Sequence, residues 1–394
     1  MNILYISVLT SRTVLKESQL QSPGYSGHAV QKFNRLIAEG LVRNGNHVRA
    51  FSTFYLPSIG HFWSHANDDE NDVYYHYLSS PNFGPIRHLW VIVASFFYVF
   101  FWGLFNKKSK ILICDVLNIS SCMGAVAAAR LIGLRRVGIM TDMPGLMVDR
   151  SEKRMRTKRV GFNAKMNKSF LRHFTHYVFL TEQMNKVVNV KHRPYIVMEG
   201  LVDAHMTLLT NNEKESKRIV IYAGGLHERY GLKLLVEGFI QADIDNTELW
   251  LYGDGPFVEE ISSYAQKDLR IVYKGIRPND EVVDAELKAT LLVNPRPTHE
   301  EFTQYSFPSK NMEYMVSGTP VLTTILPGMP VEYHPHVYLF DRGETVEGYA
   351  EVLRKVLNHS TDELKAKGAE ARRWVLENKN NINQAKRIIE LIKQ

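Results

Sequence analysis

Twice in 394 residues the chain repeats one progression: an apolar run, a glycine-bearing loop, an amphipathic helix and a second apolar run. The first instance runs from residues 2–8 through Ser22-Pro-Gly-Tyr-Ser-Gly-His28. Its helix is marked by Ala29, Val30, Phe33, Leu36, Ile37 and Leu41, and its second strand covers residues 47–52. The second instance runs from Arg218-Ile-Val-Ile-Tyr-Ala223 through Gly224-Gly-Leu-His-Glu-Arg-Tyr-Gly231 to a helix over 232–240. Apolar residues three and four apart predict the helices, and short unbroken apolar runs predict strands buried on both faces. Strand, loop, helix, strand opens a doubly wound, Rossmann-like α/β unit, whose ligands sit beyond the carboxyl ends of the strands. Two such openings predict two domains, and the length allows each its own core. Gly24 and Gly27 do not complete a dinucleotide fingerprint, so no redox cofactor is expected.

Composition narrows the class. Hydrophobic residues at 45% and charged residues at 23% describe an ordinary globular chain. The two cysteines, Cys114 and Cys122, have no metal-site spacing and read as buried thiols in a reducing compartment. Residues 1–8 lack the basic start of a signal peptide and read as a strand, which points to the cytoplasm. A net charge of +7 favours an anionic partner, but no nucleic-acid motif accompanies it.

Two stretches bear on membranes. Leu89 to Phe105 is an uncharged run of seventeen residues, about 25 Å as a helix and short of a ~30 Å bilayer core. It precedes a strand at 110–115 at once, so a packed crossover helix is expected, with an aromatic membrane-surface helix and a true membrane span as the alternatives. From Arg150 to Arg172, nine lysines and arginines face only Glu152, with Phe162, Met166, Phe170 and Leu171 at helical spacing. A basic amphipathic helix of this kind suits an anionic membrane surface, and equally a solvated face.

Two loops carry candidate chemistry. Strand 136–140 delivers Asp142 to a proline turn, where α/β proteins place active groups; helix capping is the other use of such a residue. In Ser306-Phe-Pro-Ser-Lys-Asn-Met-Glu-Tyr-Met-Val-Ser-Gly-Thr-Pro320, Pro308 suits a first helical turn, Ser306 and Ser309 can cap free amides, and Gly318 ends the helix. Lys310 then faces the positive end of the helix dipole, at a cost of roughly 0.3–1 kcal/mol. A lysine beside free amides makes sense where an anion such as phosphate binds; an ordinary amphipathic helix with a solvated lysine is the other reading. Glu313, one turn on and on the same face, can accept hydrogen bonds from ligand hydroxyls.

Glu313-Tyr-Met-Val-Ser-Gly-Thr-Pro-Val321 resembles the end of the Glu-x7-Glu signature of family 4 (group 1) glycosyltransferases, retaining nucleotide-sugar enzymes of the GT-B fold. The first glutamate falls on Tyr305 and is missing; Ser306-Phe-Pro-Ser-Lys310 is similar to a variant in capsule and exopolysaccharide transferases. Gly224, Gly225 and Arg229 resemble the family's phosphate loop, in which cations neutralise the donor diphosphate, although Leu226 stands where an arginine is usual. Gly253-Asp-Gly-Pro256 and the strand exit at Gly275-Ile276 are similar to family elements, the latter facing the nucleotide base.

The resemblance implies a GT-B fold of two Rossmann-like domains facing a cleft: residues 1–205, a linker 206–217, a donor domain 218–375, and a closing helix whose segment 376–394 returns to the first domain. It implies sugar transfer from a nucleoside diphosphate sugar to a hydroxyl of a lipid-linked saccharide in surface polysaccharide assembly, without an obligatory metal or other cofactor. Lys310 and Arg229 would stabilise the leaving diphosphate and Glu313 would hold the ribose. Asp142 would orient the acceptor or the donor sugar. Arg296, Glu301, Tyr305, Ser306 and Ser309 would line the donor, and Gly24, Gly27 and His28 would form a phosphate or acceptor loop. Two readings stay open beside it, a GT-B epimerase or phosphorylase and a non-catalytic GT-B partner subunit.

Overall fold

The computed structural model describes residues 1–21, 28–56, 62–106, 109–143, 170–206 and 217–394. Gly24, Gly27, nearly all of the basic stretch 150–172 and most of the expected linker lie outside these residues. The chain forms two compact units, residues 1–201 with 380–394, and residues 202–379. The divisions fall after Leu201 and Lys379, beside the expected 205 and 375.

The first unit begins β1 (Asn2–Ser7), α1 (Arg12–Gln21), α2 (His28–Arg43), β2 (His47–Ser52), β3 (Phe62–Trp63), β4 (Asp68–Glu70), β5 (Val73–Tyr77) and β6 (Ser80–Pro81). It continues α3 (Gly84–Phe105), β7 (Lys110–Asp115), α4 (Ile119–Leu131), β8 (Arg135–Met140), β9 (His176–Phe179), α5 (Glu182–Val188) and β10 (Tyr195–Val197). Its sheet has the order β10-β9-β8-β7-β1-β2-β5-β4, parallel except where β4 meets β5. The segment between β1 and α2, expected as a polar loop, contains α1. The Glu70 carboxylate accepts hydrogen bonds from the backbone N–H groups of Arg12 at 3.0 Å and Thr13 at 3.3 Å. Those amides have no partner inside the helix, so a residue far along the chain completes its start.

Helix α3 is a crossover from the β5–β6 region to β7, as expected, but it is not a buried one. Val91, Ser95, Val99 and Trp102 form its packed face, and Tyr98 stacks against Phe51 and His76 at 4.4 and 4.7 Å between centroids. A β-carbon on Gly124 of α4 would lie 2.0 Å from the Ile92 carbonyl oxygen, so glycine is what lets the two backbones approach. Only 28% of the helix's apolar window is buried, because the sheet and α4 cover one side and no described residue covers the other.

The second unit runs β11 (Arg218–Ala223), α6 (Leu232–Ala242), β12 (Thr247–Tyr252), α7 (Val258–Lys267), β13 (Ile271–Gly275), α8 (Asn279–Lys288) and β14 (Leu291–Asn294). It ends α9 (Ser309–Ser317), β15 (Val321–Thr323), β16 (Tyr338–Leu339), α10 (Val346–Leu357) and α11 (Thr361–Asn378). The strand order is β13-β12-β11-β14-β15-β16, parallel throughout, so the winding reverses between β11 and β14. Val220, Leu249, Leu291 and Val293 face one core with Leu235, Phe239 and Leu353. Ile219, Ile221, Leu292 and Val321 face the other with Met312, Met315 and Val316, which are the apolar stripe of α9. Both faces of the sheet are buried, which is why its strands read as unbroken apolar runs.

The closing helix expected to run on through 376–394 is two helices, broken between Asn378 and Asn381. Asn380 accepts from the Asn383 N–H at 2.8 Å and starts α12 (Asn381–Lys393), which belongs to the first unit. Gly40 of α2 makes room for it, since a β-carbon there would meet the Asn381 carbonyl oxygen at 2.2 Å.

Candidate functional site

Where the winding of a doubly wound sheet reverses, the loops leaving neighbouring strands diverge and open a crevice at their carboxyl ends. In the second unit this point lies beyond Ala223 and Asn294. The Gly224 N–H donates to the Tyr252 carbonyl at 2.9 Å and the Leu226 N–H to that of Asp254 at 2.8 Å. Gly253, with φ at +126°, takes a conformation open to glycine, and its N–H donates to the Gly275 carbonyl at 3.0 Å. The loops after β11, β12 and β13 are thus tied together, which brings Gly224 and Gly275 to one edge. Beyond Gly275 the Ile276 side chain is 74% exposed.

The loop after β11 is a short 3-10 turn, Glu228–Tyr230, ending at Gly231 with φ at +83°. A β-carbon on Gly231 would meet the Pro295 carbonyl oxygen at 1.9 Å, so this loop sits directly on the one after β14. The contact gathers two arginines around one pair of rings. Arg229 lies 5.3 Å from the Tyr230 centroid and 5.7 Å from that of Phe302. Arg296 lies 5.1 and 5.6 Å from the same two centroids. Two guanidiniums sharing one aromatic pair concentrate positive charge, with N–H donors suited to bidentate phosphate contacts.

Helix α9 supplies the third cation. Its start differs from the expectation: no side chain caps it, and Ser306 is buried with its hydroxyl donating to the Phe302 carbonyl at 3.0 Å. Ser306 therefore anchors the preceding turn, and Ser309 is the exposed first residue of the helix. Lys310 extends over Gly224, where a β-carbon would lie 2.9 Å from its Cε. The backbone beneath is held by buried amides. Asn294 Nδ2 donates to Asn311 Oδ1 at 2.7 Å, Asn311 Nδ2 to Thr323 Oγ1 at 3.3 Å, and Thr323 Oγ1 to the Asn294 carbonyl at 3.1 Å. This closed ring fixes α9 against the ends of β14 and β15. Glu313 is exposed one turn further along α9, and Gly318 ends the helix with φ at +78°.

Tyr305 is half-buried at the end of the 3-10 turn Glu301–Gln304, its N–H donating to the Phe302 carbonyl at 3.1 Å; Glu301 is exposed at that turn's start. Sequence reasoning passed over Tyr222, Tyr230, Phe302, Tyr314, the Asn294–Asn311 pair and Glu286. The Tyr222 hydroxyl donates to the Gly225 carbonyl at 2.9 Å, and Tyr314 Oη accepts from the Ala223 N–H at 3.0 Å. Glu286 of α8 is buried near Lys310 and Glu313. Burial pushes its carboxyl up to about 7, Lys310 opposes the shift and Glu313 adds to it. Of these, only Tyr230, adjoining Arg229, gave any signal along the chain.

In the first unit Asp142 is half-buried just beyond β8. Its charge adds to the burial that raises neighbouring Asp115 to about 6, against hydrogen bonds from the Leu117 N–H and the Asn34 and Asn118 amides. His28 opens α2.

The model of the family "Glycosyl transferases group 1" matches residues 217–359, which contain this whole constellation in the second unit. A comparison with curated proteins found no match. Among solved structures, the sucrose-phosphate synthase of Thermosynechococcus elongatus superposes with a TM-score of 0.64 at 16% identity, covering 100% of this chain and 98% of that one. HepE of Anabaena in complex with UDP gives 0.61 at 12% identity, covering 100% of both chains. The lipopolysaccharide outer core galactosyltransferase WaaB gives 0.60 at 14%, covering 100% and 99%. Residues 217–359 thus match the glycosyl transferases group 1 family, and the chain as a whole has the GT-B fold of these solved structures.

Proposed function

We propose that the protein transfers a sugar from a UDP-sugar to a hydroxyl of a lipid-linked saccharide, with retention of anomeric configuration, at the inner face of a cell membrane during surface polysaccharide assembly. The observation that carries the donor assignment is Lys310 lying over Gly224 beside Arg229 and Arg296, at the point where the second unit's winding reverses. As the bond between sugar and diphosphate breaks, negative charge collects on the diphosphate. Three fixed cations and the start of α9 stabilise that charge more than they stabilise the bound donor. Gly224 and Gly225 let the phosphates approach the backbone, and the amides at the start of α9, beside Ser306 and Ser309, lie next to them. Glu313 accepts hydrogen bonds from the ribose hydroxyls, and Ile276, apolar and exposed, packs on the base above Gly275.

Asp142, beyond a strand of the first unit, orients the acceptor hydroxyl, and the loop of Gly24, Gly27 and His28 serves the acceptor or the phosphates. Glu301 and Tyr305 contact the transferred sugar in place of the missing first glutamate. UDP is chosen because HepE was crystallised with it, and the polysaccharide acceptor because WaaB is a lipopolysaccharide galactosyltransferase. Thermal unfolding with UDP, GDP and dTDP, followed by assay of UDP-sugar hydrolysis, tests the reading. A rise in Tm with UDP and release of free sugar are expected. No shift with any of the three at millimolar concentration overturns the donor site.

A further inference from the structure

Helix α3 leaves a continuous apolar stripe uncovered. Ile86, Trp90, Val93, Phe97, Phe101 and Leu104 recur at spacings of three and four and are all exposed, opposite the packed residues Val91, Ser95, Val99 and Trp102. A contiguous patch of this size on a globular protein marks an interaction surface. Its electrostatics select the partner. No aspartate or glutamate occurs between Asp72 and Asp115, whereas Lys107, Lys108 and Lys110 follow the end of the helix; Arg87 at its start is turned onto the Tyr55 ring, 3.6 Å away. Beside the stripe, an open groove of about 470 Å³ runs between α3 and the β2–β5 side of the sheet. Phe97, Phe101 and Phe105 wall it, and Arg49 and His76 stand at its polar side. Apolar walls with a cation at the margin match a lipid tail and its phosphate.

We propose that the exposed face of α3 lies in the interface of an anionic lipid bilayer, parallel to its plane, with one lipid seated in the groove and its phosphate on Arg49. The helix has 22 residues, enough length and apolarity to cross a bilayer. Spanning is excluded by its packing, because Tyr98 stacks on two strands of the sheet and Gly124 holds α4 against its backbone. Aromatic residues on one face with basic residues at the ends are what an interfacial helix requires. The proposal rests on the reading that the enzyme works at a membrane surface, and assigns that contact to α3 rather than to the basic stretch 150–172.

The test is sedimentation of the full-length protein with vesicles of phosphatidylglycerol and phosphatidylcholine, paired with tryptophan quenching by lipids brominated along their acyl chains. Wild type is expected to bind the anionic vesicles and to be quenched, with Trp90→Phe removing most of the quenching. The double substitution Phe97→Ser and Phe101→Ser should lower partitioning at least tenfold. Both side chains are exposed, so circular dichroism and UDP-dependent thermal shifts should be unchanged. Arg49→Gln should reduce the preference for anionic lipid. Absence of vesicle binding by wild type overturns both the membrane reading and this assignment. Binding that survives the double serine variant overturns the assignment alone. A dimer in size-exclusion chromatography that the same variant dissociates also overturns it, because a second copy of the chain then covers the face.

Discussion

The Cε atom of Lys310 lies 2.9 Å from the position a β-carbon would occupy on Gly224, although 86 residues separate them. A β-carbon at 224 would crowd two side chains, the flexible end of Lys310 and, at 3.0 Å, the hydroxyl of the buried Tyr222. Gly224→Ala should therefore displace the flexible end of Lys310 while costing the fold about 1 kcal/mol. The expected result is a UDP affinity lowered roughly tenfold, measured by calorimetry, with a Tm within a few degrees of wild type. Unchanged UDP affinity would separate Lys310 from the phosphates.

Lys310→Ala should have opposite effects on stability and activity. A lysine at the start of α9 opposes the helix dipole, so its removal should stabilise the unliganded protein by roughly 0.3–1 kcal/mol. The stabilisation by UDP should shrink, and kcat should fall about a hundredfold, as for the loss of one contact to developing charge. Arg229→Ala should lower kcat similarly without the gain in apo Tm, because Arg229 sits on Tyr230 and Phe302 rather than at a helix start. Wild-type turnover in both variants would remove the diphosphate from this edge.

Glu313→Gln keeps size and helix propensity but loses charge and one acceptor. Charge-assisted bonds to ribose hydroxyls are worth roughly 1.5–3 kcal/mol, so donor KM should rise about tenfold or more. Glu313 is exposed, and the fold should not change. A 2′-deoxyribose donor should lose less from the substitution than the ribose donor does. Equal losses would show that Glu313 does not hold that hydroxyl.

Glu286 predicts a pH dependence of stability. Its carboxyl is raised to about 7 in the folded unit, above the value of 4.5 expected when unfolded. Between these values the folded state holds a proton that the unfolded state has released, so stability should fall as pH rises through this window. Above about pH 7 both states are ionised and the loss is complete. Glu286→Gln should remove this part of the slope and raise Tm at pH 8, the effect being on the order of 3 kcal/mol. Parallel Tm–pH curves for wild type and variant between pH 5 and 8 would refute the burial of an ionisable group there.

Sequence alone determined the α/β class, the two doubly wound units and the order of the loops at the strand ends of the second unit. These follow from local patterns: apolar runs for strands buried on both faces, three-and-four spacing for α2, α6 and α9, and glycine at Gly231 and Gly318 where φ is positive. It also marked Lys310, because a cation at a helix start is unfavourable unless something anionic binds, and Arg229, because it stands in a glycine-bearing loop after a strand. Contacts between distant residues were left to the tertiary structure. Helix α1 read as loop because Glu70, dozens of residues away, supplies its missing hydrogen-bond acceptors. Ser306 read as a cap because its true partner, the Phe302 carbonyl, depends on a 3-10 turn with no periodic signature. The two faces of α3 are both apolar in sequence, and only the position of the sheet and of Gly124 decides which is buried and which is exposed. Hydrophobic pattern sets which segments must be covered, while shape and long-range hydrogen bonding decide what covers them.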